Sequence, residues 1–181
     1  MRLLAFTVII ATTVVGCDQR RDDEAVLNAA LVYFSKELDQ DSYWNRGILL
    51  MHSKTLAWRN EESAHRADDS LESCILPQEL YEALPREERP VSTVLSESEQ
   101  WRFLREDEEA KVPYLPPSEF DGVPVRAAVS ITRPGFSGSR DVALVVLVFN
   151  KSVDTAVARV RMERRNGEWQ GACGHFNFYP F

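Results

Sequence analysis

The chain is short of basic charge. Its 181 residues carry 21 Lys and Arg against 28 Asp and Glu, a formal net charge of −7. Nucleic-acid affinity rests on Lys and Arg clustered against phosphates, so this deficit speaks against a nucleic-acid partner. Histidine is scarce as well. His52, His65 and His175 are the three present, and none stands at a metal-ligand spacing from another histidine or a cysteine. Neither a metal site nor a cofactor is therefore expected. No Walker loop or dinucleotide fingerprint occurs. Gly135-Phe136-Ser137-Gly138-Ser139 misses the spacing of a nucleophile elbow, because its second glycine comes one residue early. The apolar stretch at residues 3–15 is too short to span a bilayer, which takes about 20 residues. Internal repeats and low-complexity segments are absent too.

What remains is a chain of ordinary globular balance. It is 44% apolar and 27% charged, enough apolar side chain for a core and too little charge excess for disorder. The charge is unevenly placed. Residues 17–110 carry 11 basic and 22 acidic side chains, net −11, whereas residues 111–181 carry 9 basic and 6 acidic, net +3. Such a field acts on association more than on fold, so the acidic half could attract a basic partner.

The N-terminus has a single arginine, Arg2, then the apolar run at 3–15, then Gly16 and Cys17. A basic start, an apolar core and a small residue before a cut are the three parts of a secretory signal. Val14-Val15-Gly16-Cys17 resembles the lipobox of bacterial lipoproteins. The resemblance implies that residues 1–16 are a removable signal peptide and that Cys17 is acylated as the mature N-terminus. Residues 17–23 are then a lipidated tether, and residues 24–181 form one domain held close to the membrane. It also implies a cell-envelope location facing the periplasm. Asp18 after the cysteine resembles an inner-membrane retention signal. With Cys17 lipidated, Cys74 and Cys173 are left as a pair in an oxidising compartment, either as a disulfide or as two separate buried thiols.

The remaining 165 residues fit a single domain. From 24 to 38, Leu27, Ala30, Leu31, Phe34 and Leu38 recur at helical spacing, with Asp22 or Asp23 as N-cap. Residues 48–52 form a short apolar run that reads as buried strand or as helix. Residues 78–84 give a brief helix ending at Pro85. Ser96-x-x-Glu99 reads as a capping box opening a helix to about residue 110, with Trp101 and Leu104 on one side. Beyond the prolines 113, 116 and 117 the pattern turns to sheet. Residues 123–132 and 155–163 alternate, 142–149 are apolar throughout, and Asn166-Gly167 is a strong hairpin signal into a last strand at 168–178. In the two-residue-turn register, Cys173 and His175 face the core. A one-residue bulge at Gly171 or Gly174 reverses that. The expected fold class is α+β, with N-terminal helices packed on a C-terminal four-stranded antiparallel meander. The strand and turn order of this last third resembles small α+β proteins of no assigned activity.

No spacing specifies a reaction. The expected function is a membrane-tethered binding or inhibitory module that takes a basic protein partner or a small ligand. Glu106, Asp107, Glu108 and Glu109 are the candidate partner-binding residues. The competing expectation is a small hydrolase or isomerase using His52 or His175, with Glu119 or Asp121 to orient the ring.

Overall fold

The computed structural model describes residues 2–39, 47–58, 74–109, 119–120, 122–151 and 154–179. The expected loops around residues 40–46 and 59–72, the proline connector and Asp121 lie outside them, as do Tyr43, Trp44 and His65.

One long helix, α1 (Arg2–Asp39), packs its apolar stripe on a sheet. Val26, Leu27, Ala30, Leu31 and Phe34 are fully buried, and Leu38 nearly so. Beneath them run β6 (Val142–Lys151), β7 (Asp154–Arg165) and β8 (Glu168–Tyr179). The stripe holds α1 down because residues three and four apart share one face of a helix. Phe34 is its centre. Its ring meets Phe149 edge-on at 4.7 Å between centroids and lies stacked over Phe176 at 6.2 Å.

The sheet corrects the expected architecture. It has eight strands in mixed directions, not four in an antiparallel meander, and α1 is the one long helix among the described residues. The main order is β2-β1-β4-β6-β7-β8, with β3 (Glu119–Phe120) on β4 and β5 (Gly135–Phe136) on β6. Strand β1 (Ile48–Met51) runs parallel to both β2 (Trp101–Phe103) and β4 (Val123–Ile131). Of the added strands, β2 comes from a stretch expected to be helical and β1 from one that reads as strand or helix. All four residues of β1 are buried, which suits a strand covered on both faces and carries no alternation to reveal it.

The expected helix at 96–110 is replaced by β2 and the short α3 (Glu106–Glu109). The capping-box serine bonds elsewhere: Ser96 Oγ donates to Glu24 Oε1 at 2.6 Å, and the neighbouring Glu97 Oε1 accepts from Phe103 N at 2.7 Å. Trp101, anchored by Nε1–H donating to Ser96 O, enters the core under α1. Pairing with β1 and burial of the indole override a local helix signal.

On the other face, α2 (Gln78–Glu82) brings Leu80, with Leu84 and Trp58, against Leu144 and Val146 of β6. A smaller cluster of Ile48, Leu50, Leu104 and Val125 seals the parallel end. Residues 142–149 thus lie in a strand covered on both sides. Where β1 meets β4, the register slips at Arg126. That buried guanidinium donates from Nη2 to Ser35 O at 3.1 Å and Asp39 Oδ1 at 2.7 Å, closing the last turn of α1, where cations are favoured.

The β7–β8 hairpin turns on Asn166 (φ 54°) and Gly167 (φ 85°), the left-handed pair of a type I′ turn. Arg165 faces Glu168, and the expected ladder holds to Met162 opposite Gly171. There β8 carries one extra residue, Ala172, so Arg161 faces Cys173, Arg159 faces His175 and Ala158 faces Phe176. Cys173 and His175 therefore point away from α1, and Phe176 points towards it. Tyr33 packs beside this bulge, and a Cβ on Gly171 would lie 2.2 Å from its ring, so position 171 needs a glycine.

Truncating Phe34 to alanine should lower stability by about 3–5 kcal/mol, as for other buried phenylalanines. Val32→Ala, on the exposed side of the same helix, should move it by no more than about 0.5 kcal/mol. Urea midpoints at unchanged slope would check both.

Candidate functional site

Three groups of polar side chains stand out. The first lies at the carboxyl end of the parallel strands, where open α/β sheets hold ligands. His52 and Ser53 follow β1 directly. Glu109 of α3 accepts hydrogen bonds there, with Oε1 from Ser53 N and Oε2 from Ser53 Oγ at 2.9 Å. Its Oε1 also stands 3.4 Å from His52 Nδ1. A carboxylate thus stands beside this histidine, and among the described residues it is Glu109 and not Glu119. Glu119 sits exposed on β3. Ser53 turns its hydroxyl to the carboxylate, so the trio is no relay from serine to histidine.

The acidic run is partly engaged within the domain. Glu108 accepts from Arg105 N through Oε2 at 2.9 Å and from Arg105 Nη2 through Oε1 at 2.8 Å. With Glu109 it pins α3 locally, while the side chains of Glu106 and Asp107 lie outside the description.

The second group surrounds the disulfide. Cys74 and Cys173 are bridged, with Cα atoms 5.6 Å apart. The bridge spans 99 residues of sequence, and closing a loop near that length removes about 4–5 kcal/mol of unfolded-chain entropy. It forms on the face opposite α1, not on the inward face that the unbulged ladder predicts. Next to it His175 Nε2–H donates to Cys74 O at 2.6 Å; a carbonyl only accepts, which leaves Nδ1 bare in the neutral ring. Arg161 Nη1 donates to Ile75 O at 3.2 Å, and its Nη2 pairs with Glu163 at 2.9 Å. His52 and His175 lie on β1's end and on β8, four strand spacings or about 19 Å apart, so they do not share a site.

The third group fastens α1 where it enters the domain. Asp23 is 2% exposed and accepts from Arg133 Nη2 at 2.8 Å and Nε at 3.2 Å. Asp22 reaches Arg140 at 3.4 Å and Arg164 at 3.8 Å. Those two arginines lie over the rings of Phe136 and Trp169. Neither aspartate is a helix N-cap, because α1 continues before them. Sequence spacing gives no hint of pairs more than 100 residues apart. Cys17 lies on α1, and its side chain is outside the description. Among the described residues no cluster suits a metal ion, and no helix is long and apolar enough to cross a membrane.

The chain matches no known family model, no curated protein and no solved structure.

Burial raises the Asp23 carboxyl above the ordinary 3.8, outweighing the hydrogen bond and charge of Arg133 and the charge of Arg140, with the like charge of Asp22 adding to the rise. The folded chain then holds this proton more tightly than the unfolded one. Asp23's contribution is full below the ordinary value and is lost as pH rises through the raised one. Asp23→Asn should flatten that part of the pH–stability profile, measured by urea unfolding from mildly acidic to neutral pH.

Proposed function

We propose that this protein is a lipid-tethered component of the bacterial cell envelope whose domain acts by binding and not by catalysis. The observation that carries the reading is the way α1 joins the lipobox-like segment to the domain. Cys17 stands five residues before Asp22 on one continuous helix, an axial distance of about 8 Å. Asp22 and Asp23 are clamped to Arg133, Arg140 and Arg164, so an acyl chain on Cys17 would hold the sheet against the lipid surface with little slack. Diacyl attachment of this kind gives firm anchoring, whereas one chain alone binds marginally.

Binding is favoured over turnover because the two candidate histidines stand apart and each serves a local contact. His175 holds Cys74 O, and His52 faces the carboxylate that pins α3. With Glu108 and Glu109 bonded inside the domain, the acidic run contributes steering of a basic partner through its net field and not through those two carboxylates. The hydrolase or isomerase reading keeps one supporting feature, the His52–Glu109 pair.

Mass spectrometry of native protein should find an acylated N-terminus at Cys17, and Cys17→Ala should block normal processing and leave residues 1–16 attached. A soluble, unlipidated native form would contradict the tether. Turnover in a broad hydrolase or isomerase screen, lost in a still-folded His52→Ala variant, would contradict the binding reading.

A further inference from the structure

The face opposite α1 holds a row of hydrogen-bond donors, some of them without an acceptor among the described residues. Arg159 projects from β7 between Val157 and Arg161, directly across from His175 on β8. Facing side chains on neighbouring strands have Cβ atoms about 5 Å apart. Arg159 makes no hydrogen bond or ion pair among the described residues, while the nearest acid along its strand, Glu163, is already held by Arg161 and Arg165. The Arg161 Nε and the Trp58 Nε1 are both buried with no partner among the described residues. Trp58 is itself 7% exposed and stands 6.0 Å, centroid to centroid, from Tyr81 of α2. Tyr81 feels the charge of Arg159, although burial has the larger effect on its hydroxyl and pushes its pKa up.

We propose that the Arg159 side of the disulfide face is a binding site for a small oxyanion, a free carboxylate or phosphate compound. The chemistry follows from the donor set. An unpaired guanidinium offers two parallel N–H groups, the geometry that carboxylate and phosphate oxygens match. Arg159 is half-buried, so its guanidinium is within reach of a ligand from solvent. Tyr81 feels its charge, and the apolar cluster of Trp58, Tyr81 and Val157 lies on the same face, so charge and apolar surface occur together there as in small-molecule sites. The Cys74–Cys173 bridge and the His175–Cys74 bond fix the strand that faces Arg159.

This inference rests on the binding reading and names its ligand class. The test uses the full chain in nonionic detergent, titrated separately with inorganic phosphate, acetate and benzoate at constant ionic strength set by sodium chloride. Tryptophan fluorescence follows binding, and Trp58→Phe assigns the signal. At least one oxyanion should give a saturable change. Arg159→Gln should weaken it about tenfold or more, the loss expected for a charge-assisted hydrogen bond, and Arg159→Lys should retain part of it. Arg102→Gln, on the distant edge strand β2, should leave it unchanged. Far-UV circular dichroism and an intact Cys74–Cys173 bridge report that each variant is folded. No saturable change with any of the three anions, or equal affinity in folded Arg159→Gln, overturns the proposal. A membrane-bound Cys17-acylated chain that fails this titration would sink the oxyanion site alone and leave the tether standing.

Discussion

Much of this structure depends on a single extra residue in β8. The ladder from the Asn166-Gly167 turn is regular to Met162 opposite Gly171, and then Ala172 is inserted. Because side chains alternate along a strand, one inserted residue swaps every later side chain between faces. Phe176 is thereby sent under α1, where it stacks on Phe34. Cys173 and His175 are sent the other way, to meet Cys74. The core under the long helix and the cross-linked face behind it are consequences of the same slip. Tyr33 packs over the glycine that precedes it, since its ring occupies the space that a side chain at position 171 would need.

The two faces of the sheet do different work. The α1 face is packed apolar side chain, bounded at the entry of the helix by the Asp22 and Asp23 ion pairs and at its end by Arg126 on Asp39. A buried ion pair adds little net stability, yet breaking one leaves a charge stranded, so such pairs fix where a helix sits more than how strongly it binds. The opposite face is different among the described residues. It carries a small apolar cluster around Trp58 and Leu80, a covalent strap and a set of arginine, histidine and indole donors. Rigid packing on one side leaves the other free to present polar groups at fixed spacing, which is what recognition of a small ligand needs.

How much of this was legible in the sequence follows from the range of the interactions. The stripe from Leu27 to Leu38, the alternation in β4 and β7, the two-faced burial of β6 and the Asn166-Gly167 turn are local signals and could be read. Strands β1 and β2 could not be assigned, because each is three or four residues long and finds its partners in parallel across long stretches of chain. Ser96 and Glu99 spelled a helix start that the burial of Trp101 overrode. The bulge was readable as a risk at two glycines but not as a position, because alternation alone does not say which residue is left unpaired. Among site residues, the Cys74–Cys173 pairing was within reach by parity. The attachment of His52 to Glu109, and of Asp23 to Arg133, was not, since no spacing links them.

The most direct test of the account removes the extra residue. Deleting Ala172 leaves Cys173 directly after Gly171, so a regular ladder keeps it opposite Arg161 and facing Cys74. Disulfide mapping by mass spectrometry of the non-reduced protein should then show the Cys74–Cys173 cross-linked peptide retained at full yield. Loss of that cross-link, with Cys173 recovered as a thiol in a still-folded deletion variant, would contradict the claim that Ala172 is the extra residue that sets both faces.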